Sequence, residues 1–510
     1  MTTSQPKKTL TLKKKSSDAT EASTSGRPGH GPRKRSGARA RLVAQRELTR
    51  RKTDTFDTFE AELADAPTVD TSADTARPAK PEWSPAAERA PTRRRPATDH
   101  PSQHAATSGV VRRPRSDARN SPSRIRVAET FRVFTPCPHG LEEALAAELN
   151  ALGFDDAVAD RAGCRLTTDW SGILRINLYS RLATRVLVQV AHRPVNTEND
   201  ILDLAYNTPW ERWFGAEQTL RVDTSAIRSP MQSLQYCNLR AKDGICDRLR
   251  DKEGQRPDID TVRPDARVHL FLDETSATLY LDTSGESLFK RGWRLDKGEA
   301  PIRENLAAGL LALSGWDPNA PLLDPFCGSG TIIIEAAWIA LGVPAGIWRP
   351  FAFERLRNHD DRHWKDIKAE ARARIATRLD TPLVGCDLNP AAIDAAKQNL
   401  DRAWLTPDTI RFEVADARNV LPPADHGWLV TNPPYGERLE DSDDDLWWQW
   451  SQNLKQNYSN WHVNIISSDL ELPQKLRLKP RRRIPLHNGA LDCRLFVFDM
   501  VKESYRREKK

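Results

Sequence analysis

The chain has 510 residues, 77 basic and 70 acidic, for a net charge of +7. At about 150 residues per domain, that length suggests two to four domains and ample core. The longest apolar candidate, residues 332–343, is broken by Glu335 and falls short of the roughly 20 residues a membrane span needs, so no membrane partner is expected. The N-terminus lacks the apolar run of a secretory signal. Seven scattered cysteines, none in a C-x-x-C pair, argue against a disulfide framework or a zinc site and suit a reducing cytoplasm.

The charge is unevenly placed. Residues 1–125 hold 26 basic against 14 acidic side chains, while the remainder holds 51 against 56. The tail, rich in Pro, Ser, Thr, Ala and Arg, cannot bury enough apolar surface to offset its ordering entropy, so residues 1–128 are expected to be disordered. Its basic clusters (Lys13 to Lys15, Arg33 to Arg35, Arg93 to Arg95, Arg112 and Arg113) could hold RNA phosphates by counterion release, or simply keep a linker soluble. The absence of acids from the first 17 residues makes an organellar transit peptide a lesser reading.

Order is expected from about Phe131. Phe131 to Phe134 reads as a strand, and Leu141, Leu145, Leu149 and Leu152 as a helical stripe. A strand at Arg185 to Val190, a helical segment at Ile201 to Phe214 and a strand at Thr219 to Thr224 follow. A helix at Leu234 to Arg250 precedes a hairpin, Arg267 to Leu272 with Ala277 to Leu281. Mixed short units suggest a small α+β module spanning 129–290, and not one long sheet.

From Ala300 the pattern becomes strand, helix, strand, helix, as in a parallel doubly wound sheet. Pro321 to Asp324 is the first strand, and Leu383 to Asp387 the second, with its helix at Pro390 to Leu400. Ile410 to Val414 is the third strand and Gly427 to Thr431 the fourth. Ligands of such sheets bind at the carboxyl ends of the strands, where the notable clusters fall.

After the first strand, Gly328, Ser329 and Gly330 form a loop before a helix N-terminus, open to backbone approach and favourable to an anionic group such as a carboxylate. Asp387 can accept both hydroxyl protons of a ribose, and Asp416 can accept from an adenine amine. Gly330 and Asp387 are 57 residues apart, so an insertion is required; the stretch 347–378, rich in Arg, Trp and His, is the candidate. Asn432, Pro433, Pro434 and Tyr435 close the fourth strand. The Asn oxygen and the Pro433 carbonyl can accept two hydrogens from one planar amine, and Tyr435 offers a stacking ring. That geometry suits methylation of a nucleobase amine, whose ring-delocalised lone pair makes it a poor nucleophile.

The run Leu323 to Thr331, with Gly385 to Pro390 and Thr431 to Leu439, resembles the class I S-adenosylmethionine-dependent RNA methyltransferases that carry a THUMP domain. Within these it is most similar to the large-subunit (23S) rRNA guanine-N2 methyltransferases. Lys242 to Ile245, Asp282 to Leu288, Arg291 to Arg294 and Asn488 to Leu495 agree, so the likeness covers about 130–503. The resemblance implies an α/β Rossmann-like class I methyltransferase domain at 291–510, preceded by an α+β ferredoxin-like and THUMP RNA-binding module and a disordered basic N-terminal tail. It also implies S-adenosyl-L-methionine as cofactor, with Asp324, Gly328, Ser329 and Gly330 at its methionine end, Asp387 at its ribose and Asp416 at its adenine. Asn432 to Tyr435 would hold the target base. Ribosomal RNA or a large-subunit assembly intermediate would be the partner, with no metal, in the cytoplasm. Some relatives carry a second methyltransferase domain after this one, and the long tail is no part of the shared pattern.

Three rival readings stand beside this one: a tRNA guanine-N2 methyltransferase, a nucleic-acid adenine-N6 methyltransferase, and a non-catalytic RNA-binding assembly factor. Cys327 is not expected to be a covalent nucleophile, because amine methylation needs no covalent step. His359 to His363 reads as a solvated helix start, and Trp447, Trp448 and Trp450 as packing for a helix against the sheet.

Overall fold

A computed structural model describes residues 129–294, 302–434 and 444–501. The tail expected over 1–128 and the run from Tyr435 to Leu439 lie outside the described residues. Within them the strands make two seven-stranded sheets.

The first sheet holds β1 (Thr130–Pro136), β2 (Val158–Asp160), β3 (Gly163–Asp169), β4 (Leu187–Pro194), β5 (Leu220–Ala226), β6 (Ala266–Leu272) and β7 (Ser276–Asp282), in the order β2-β3-β1-β4-β7-β6-β5. This corrects the expectation of separate short units. β4 pairs with β1 through Val133 and Val188 on one edge, and with β7 from Leu187–Asp282 to Pro194–Ser276 on the other. One strand therefore joins two halves into a continuous sheet. Side-chain alternation reports which face of a strand is buried but not which neighbours take its two edges. The helix Leu234–Glu253 starts at a Ser233 cap and stops at Gly254 in the left-handed conformation.

The second sheet holds β8 (Leu322–Asp324), β9 (Leu383–Asp387), β10 (Arg411–Val414), β11 (Gly427–Thr431), β12 (Trp461–Ser467), β13 (Arg482–Asn488) and β14 (Leu491–Asp499), in the order β10-β9-β8-β11-β12-β14-β13. β8, β9, β10, β11 and β12 run parallel, and the hairpin β13–β14 closes the edge antiparallel. The chain steps outward from β8 to β9 and β10, then returns to β11 on the other side. That reversal leaves a crevice at the carboxyl ends of β8 and β11.

The stretch 347–378 is the expected insertion, and it clamps the two sheets together. It contains a 3-10 turn, Ala352–Arg355, and a helix, Asp361–Ala373, capped by Asp360, as the solvated helix start anticipated. The Phe353 N–H donates to the Thr283 carbonyl at 3.0 Å and the Arg357 N–H to the Trp213 carbonyl at 2.8 Å. Arg357 also pairs with Glu217 and Glu253. Nearby, Gly346 N–H donates to the Leu178 carbonyl at 2.9 Å. Arg349 is the buried centre of this joint: it donates to the carbonyls of Ser287 at 2.7 Å and Glu286 at 2.6 Å, with a longer contact to that of Ser284. Beside it Arg291 and Glu335 form a fully buried ion pair at 3.2 Å. No described helix is long and apolar enough to cross a membrane.

Truncating Arg349 strands several buried carbonyls at once, each worth about 1–3 kcal/mol when left unmade. Arg349→Ala should lower the free energy of unfolding by roughly 3 kcal/mol in urea titrations, whereas truncation of Arg378, which makes an exposed ion pair with Asp380, should change it by less than about 1 kcal/mol.

Candidate active site

Asp324, at the end of β8, is fully enclosed. It accepts a hydrogen bond from the Thr431 hydroxyl at 2.6 Å and one from the Phe326 N–H at 3.2 Å. Burial pushes its carboxyl up to about 7, the nearby Asp387 charge adds to that, and the two hydrogen bonds oppose it. The Thr431 bond joins the ends of β8 and β11 across the crevice, because the parallel register sets Trp428 beside Leu322 and Leu429 beside Leu323.

The loop after β8 is shaped by its glycines. Gly328 has φ +51° and nothing within 4 Å of where a Cβ would stand, so the space over it is free. Gly330 has φ +83° and begins the helix Thr331–Ala340; a Cβ there would lie 3.1 Å from Ala396 and Phe412. Asp387 ties this loop to β9: one carboxylate oxygen accepts from the Gly328 N–H at 2.9 Å, the other from the Asn389 N–H at 2.9 Å. Each oxygen keeps a second lone pair for a further donor. Ser329 is buried, and its carbonyl accepts from the Asn399 side chain at 3.1 Å. Phe326 meets Trp450 edge-on at 5.0 Å, pinning the loop to the helix Asp444–Asn457. Trp447 and Trp450 are buried as expected, but Trp448 is 45% exposed and packs no core.

Asp416 departs from the simple picture of a waiting acceptor. Arg418 lies along its carboxylate, with Nε 3.0 and 2.9 Å from the two oxygens and a terminal nitrogen at 2.5 Å, and the Arg418 N–H adds a bond at 2.9 Å. These bonds hold the Asp416 carboxyl below the usual carboxylate range. Any further donor must share an already occupied group.

Asn432 follows Thr431 directly. Its side-chain oxygen is shielded from solvent and has no hydrogen-bond partner among the described residues. A buried acceptor left unmade costs free energy unless a donor completes it. Pro433 is buried and Pro434 half-buried beside it, while Tyr435 lies outside the described residues. Cys327 is buried, and desolvation with the neighbouring Asp324 and Asp387 charges pushes its thiol well above its ordinary value. It stays protonated, as a non-nucleophilic role requires.

The second-sheet residues named from sequence thus share one edge, since Asp324 is level with Gly385 and Val414 with Asp387. Three supporting groups went unnoticed: Thr431, Arg418 and Asn399. Asn399, a fully buried amide next to Leu400 and beyond Ile393 and Ala396, was detectable as a polar interruption of an apolar helical face. Arg418 carried no comparable signal.

The RMKL-like methyltransferase domain family matches residues 291–496, the THUMP domain 195–282, and the RlmL ferredoxin-like domain 132–187. The chain joins a ferredoxin-like and a THUMP domain to an RMKL-like methyltransferase domain. A Ribosomal RNA large subunit methyltransferase K/L from Shewanella frigidimarina (strain NCIMB 400) is 35% identical over 385 residues, covering 74% of this chain and 54% of the relative. This chain therefore spans about half the length of the curated relatives it matches. The crystal structure of SMU.472 complexed with SAH superposes with a TM-score of 0.68 at 26% identity, covering 74% of this chain and 100% of that one. A predicted N6-adenine-specific DNA methylase from Listeria monocytogenes str. 4b F2365 reaches 0.66 at 29% identity, covering 73% and 97%. THUMP and ferredoxin-like domains thus share the first sheet, and the methyltransferase domain owns the crevice.

The raised Asp324 carboxyl gives the methyltransferase domain a pH signature. The native state keeps this proton to about pH 7, whereas an unfolded Asp loses it near 4, so the stability it contributes is complete below 4 and lost as pH rises to 7. Asp324→Asn should flatten that part of the profile; the difference between wild type and variant in urea titrations from pH 4 to 7.5 should reach up to roughly 4 kcal/mol.

Proposed function

We propose that this protein transfers the methyl group of S-adenosyl-L-methionine to the exocyclic N2 amine of a guanine in large-subunit ribosomal RNA. The observation that carries the reading is the Asn432 oxygen at the carboxyl end of β11, buried and unpartnered among the described residues, next to the Thr431–Asp324 bond. The residues present fit the cofactor. Free space over Gly328 and the helix start at Thr331 suit its amino-acid end, and Asp387 retains lone pairs for the ribose hydroxyls. Asp416, with Arg418 alongside, stands on the strand edge beyond as the candidate adenine partner. The bound cofactor supplies an already activated sulfonium methyl.

The chain's own task is then positioning. Asn432 Oδ1 and the Pro433 carbonyl accept the two hydrogens of the amine, favouring a pyramidal nitrogen with its lone pair aimed at the methyl. Tyr435 is the proposed stacking ring. Orientation of this kind contributes on the order of 7–11 kcal/mol to barrier lowering. A paired guanine must first be unstacked and rotated out. Once the N–CH₃ bond forms and the S–CH₃ bond breaks, the amine's surplus proton leaves to solvent.

The names of the curated relatives support ribosomal RNA as substrate, and the guanine amine is the finer part of the reading. The Listeria neighbour's title favours adenine N6 as the second reading. Asn432→Ala should keep its fold and its calorimetric heat with S-adenosylmethionine, yet lose at least about 100-fold in methyl transfer to ribosomal RNA. Near wild-type turnover would remove Asn432 from the mechanism. Nucleoside mass spectrometry separates the targets: loss of N2-methylguanine in cells lacking the protein supports the proposal, and loss of N6-methyladenine supports the second reading.

A further inference from the structure

Where the THUMP edge of the first sheet meets the 346–357 segment of the methyltransferase domain lies a cavity of about 420 Å³. Seven cationic side chains line it against two carboxylates, Asp265 and Glu286. Its floor holds Arg185, Arg267 and Arg349, each at most 7% exposed. Arg185 donates to Asp282 at 2.6 Å and Arg267 to Asp223 at 2.5 Å, whereas Arg349 donates to main-chain carbonyls, lies over the Phe351 ring at 5.1 Å and makes no ion pair among the described residues. Burial lowers Arg185 and Arg349 to about 10, which leaves both charged at neutral pH. Counting Asp223 and Asp282 behind the floor, seven cations face four carboxylates.

The rim is free to respond. Arg263 is exposed, and its guanidinium makes no ion pair or hydrogen bond among the described residues. Lys290 touches the exposed Glu286 at 3.6 Å, and Arg355 touches Asp265 at 3.2 Å. Such solvent-facing pairs contribute little and give way to a more strongly bound anion. Trp348 also lines the cavity; its half-buried ring rests against Trp338 at 5.3 Å and Trp404 at 6.0 Å, so only its remaining exposed surface is open beside the charges. The size matches a small-ligand pocket of about 300–1,000 Å³, enough for one nucleotide. Phosphate beside an aromatic ring is the chemistry of single-stranded nucleic acid.

We infer that this cavity seats one nucleotide of the RNA strand, with Arg263 and Lys290 on its phosphate and the exposed part of Trp348, backed by Trp338 and Trp404, against its base. The inference rests on the RNA-methylation reading above and adds the contact by which both domains hold one strand. It gives the clamp a second purpose, because the cavity walls come from the first sheet with its flanking loops and from the 348–355 segment of the methyltransferase domain.

The test uses the full chain, a short fluorescein-labelled single-stranded RNA and, separately, inorganic pyrophosphate. Arg263→Gln with Lys290→Gln should weaken RNA binding about tenfold and reduce the slope of log Kd against log salt by about 0.7, the value for one phosphate no longer neutralised. Arg372→Gln with Arg378→Gln removes the same charge outside the cavity and should do much less. Equal losses in the two double variants would mean diffuse electrostatics and overturn the site. No loss in the first would overturn it too. Pyrophosphate binding abolished by the first pair with RNA binding untouched would assign the cavity to a free anion and refute the RNA contact. Calorimetry with S-adenosylmethionine, which the rim substitutions should leave unchanged, and the nucleoside analysis report separately on the methylation reading.

Discussion

A buried carboxyl at the point where strand order reverses organises this molecule's candidate chemistry. Asp324 ends the central strand of the second sheet, and its bond to Thr431 fastens that strand to the one that turns back on its other side. The two halves of the site meet across this bond. On one side the glycine loop leaves space, and on the other Asn432 holds an acceptor without a donor. Loss of register by one residue would turn Thr431 away from Asp324 and move Asn432 with it. The positions that matter are therefore fixed by strand pairing before any ligand arrives.

The surroundings reinforce that edge through polar groups that are already partnered. Asp387 holds the loop through Gly328, Asn399 holds it through Ser329, and Trp450 backs it through Phe326. Networks of this kind are costly to assemble in a low-dielectric interior and rigid once complete. A methyl transfer that depends on placement to fractions of an ångström benefits from such a frame. Asn432 Oδ1 differs from Asp387 and Asn399 in having no partner among the described residues, at the open carboxyl end of β11.

The joint between the two sheets follows different physics. It depends on buried arginines whose guanidinium forks reach several carbonyls at once, a geometry a lysine ammonium does not reproduce. Arg349 and Arg291 lock the 346–357 segment and the helix Thr331–Ala340 to the segments that leave β7. These contacts hold the two domains at a fixed separation.

Much of this was legible in the sequence. The strands Leu383–Asp387 and Gly427–Thr431 stand where their apolar runs and terminal polar residues placed them, and the glycine loop turns at 328 and 330. Local chemistry governs such features: apolar runs, glycine conformations and the end of a run. Strand partnership is not local, so the continuous first sheet, with β4 serving both halves, could be settled only by the fold. The same holds for Arg418 on Asp416, since sequence spacing alone does not say whether a cation two residues from a carboxylate folds back onto it. Residues 347–378 were recognisable as an insertion, yet what they clamp was not, because their partners at 211–218 and 283–287 are distant in sequence. Sequence thus named the residue types the chemistry needs, and tertiary packing alone decided which carboxylates are engaged, which amide oxygen is left waiting, and which arginines share one cavity.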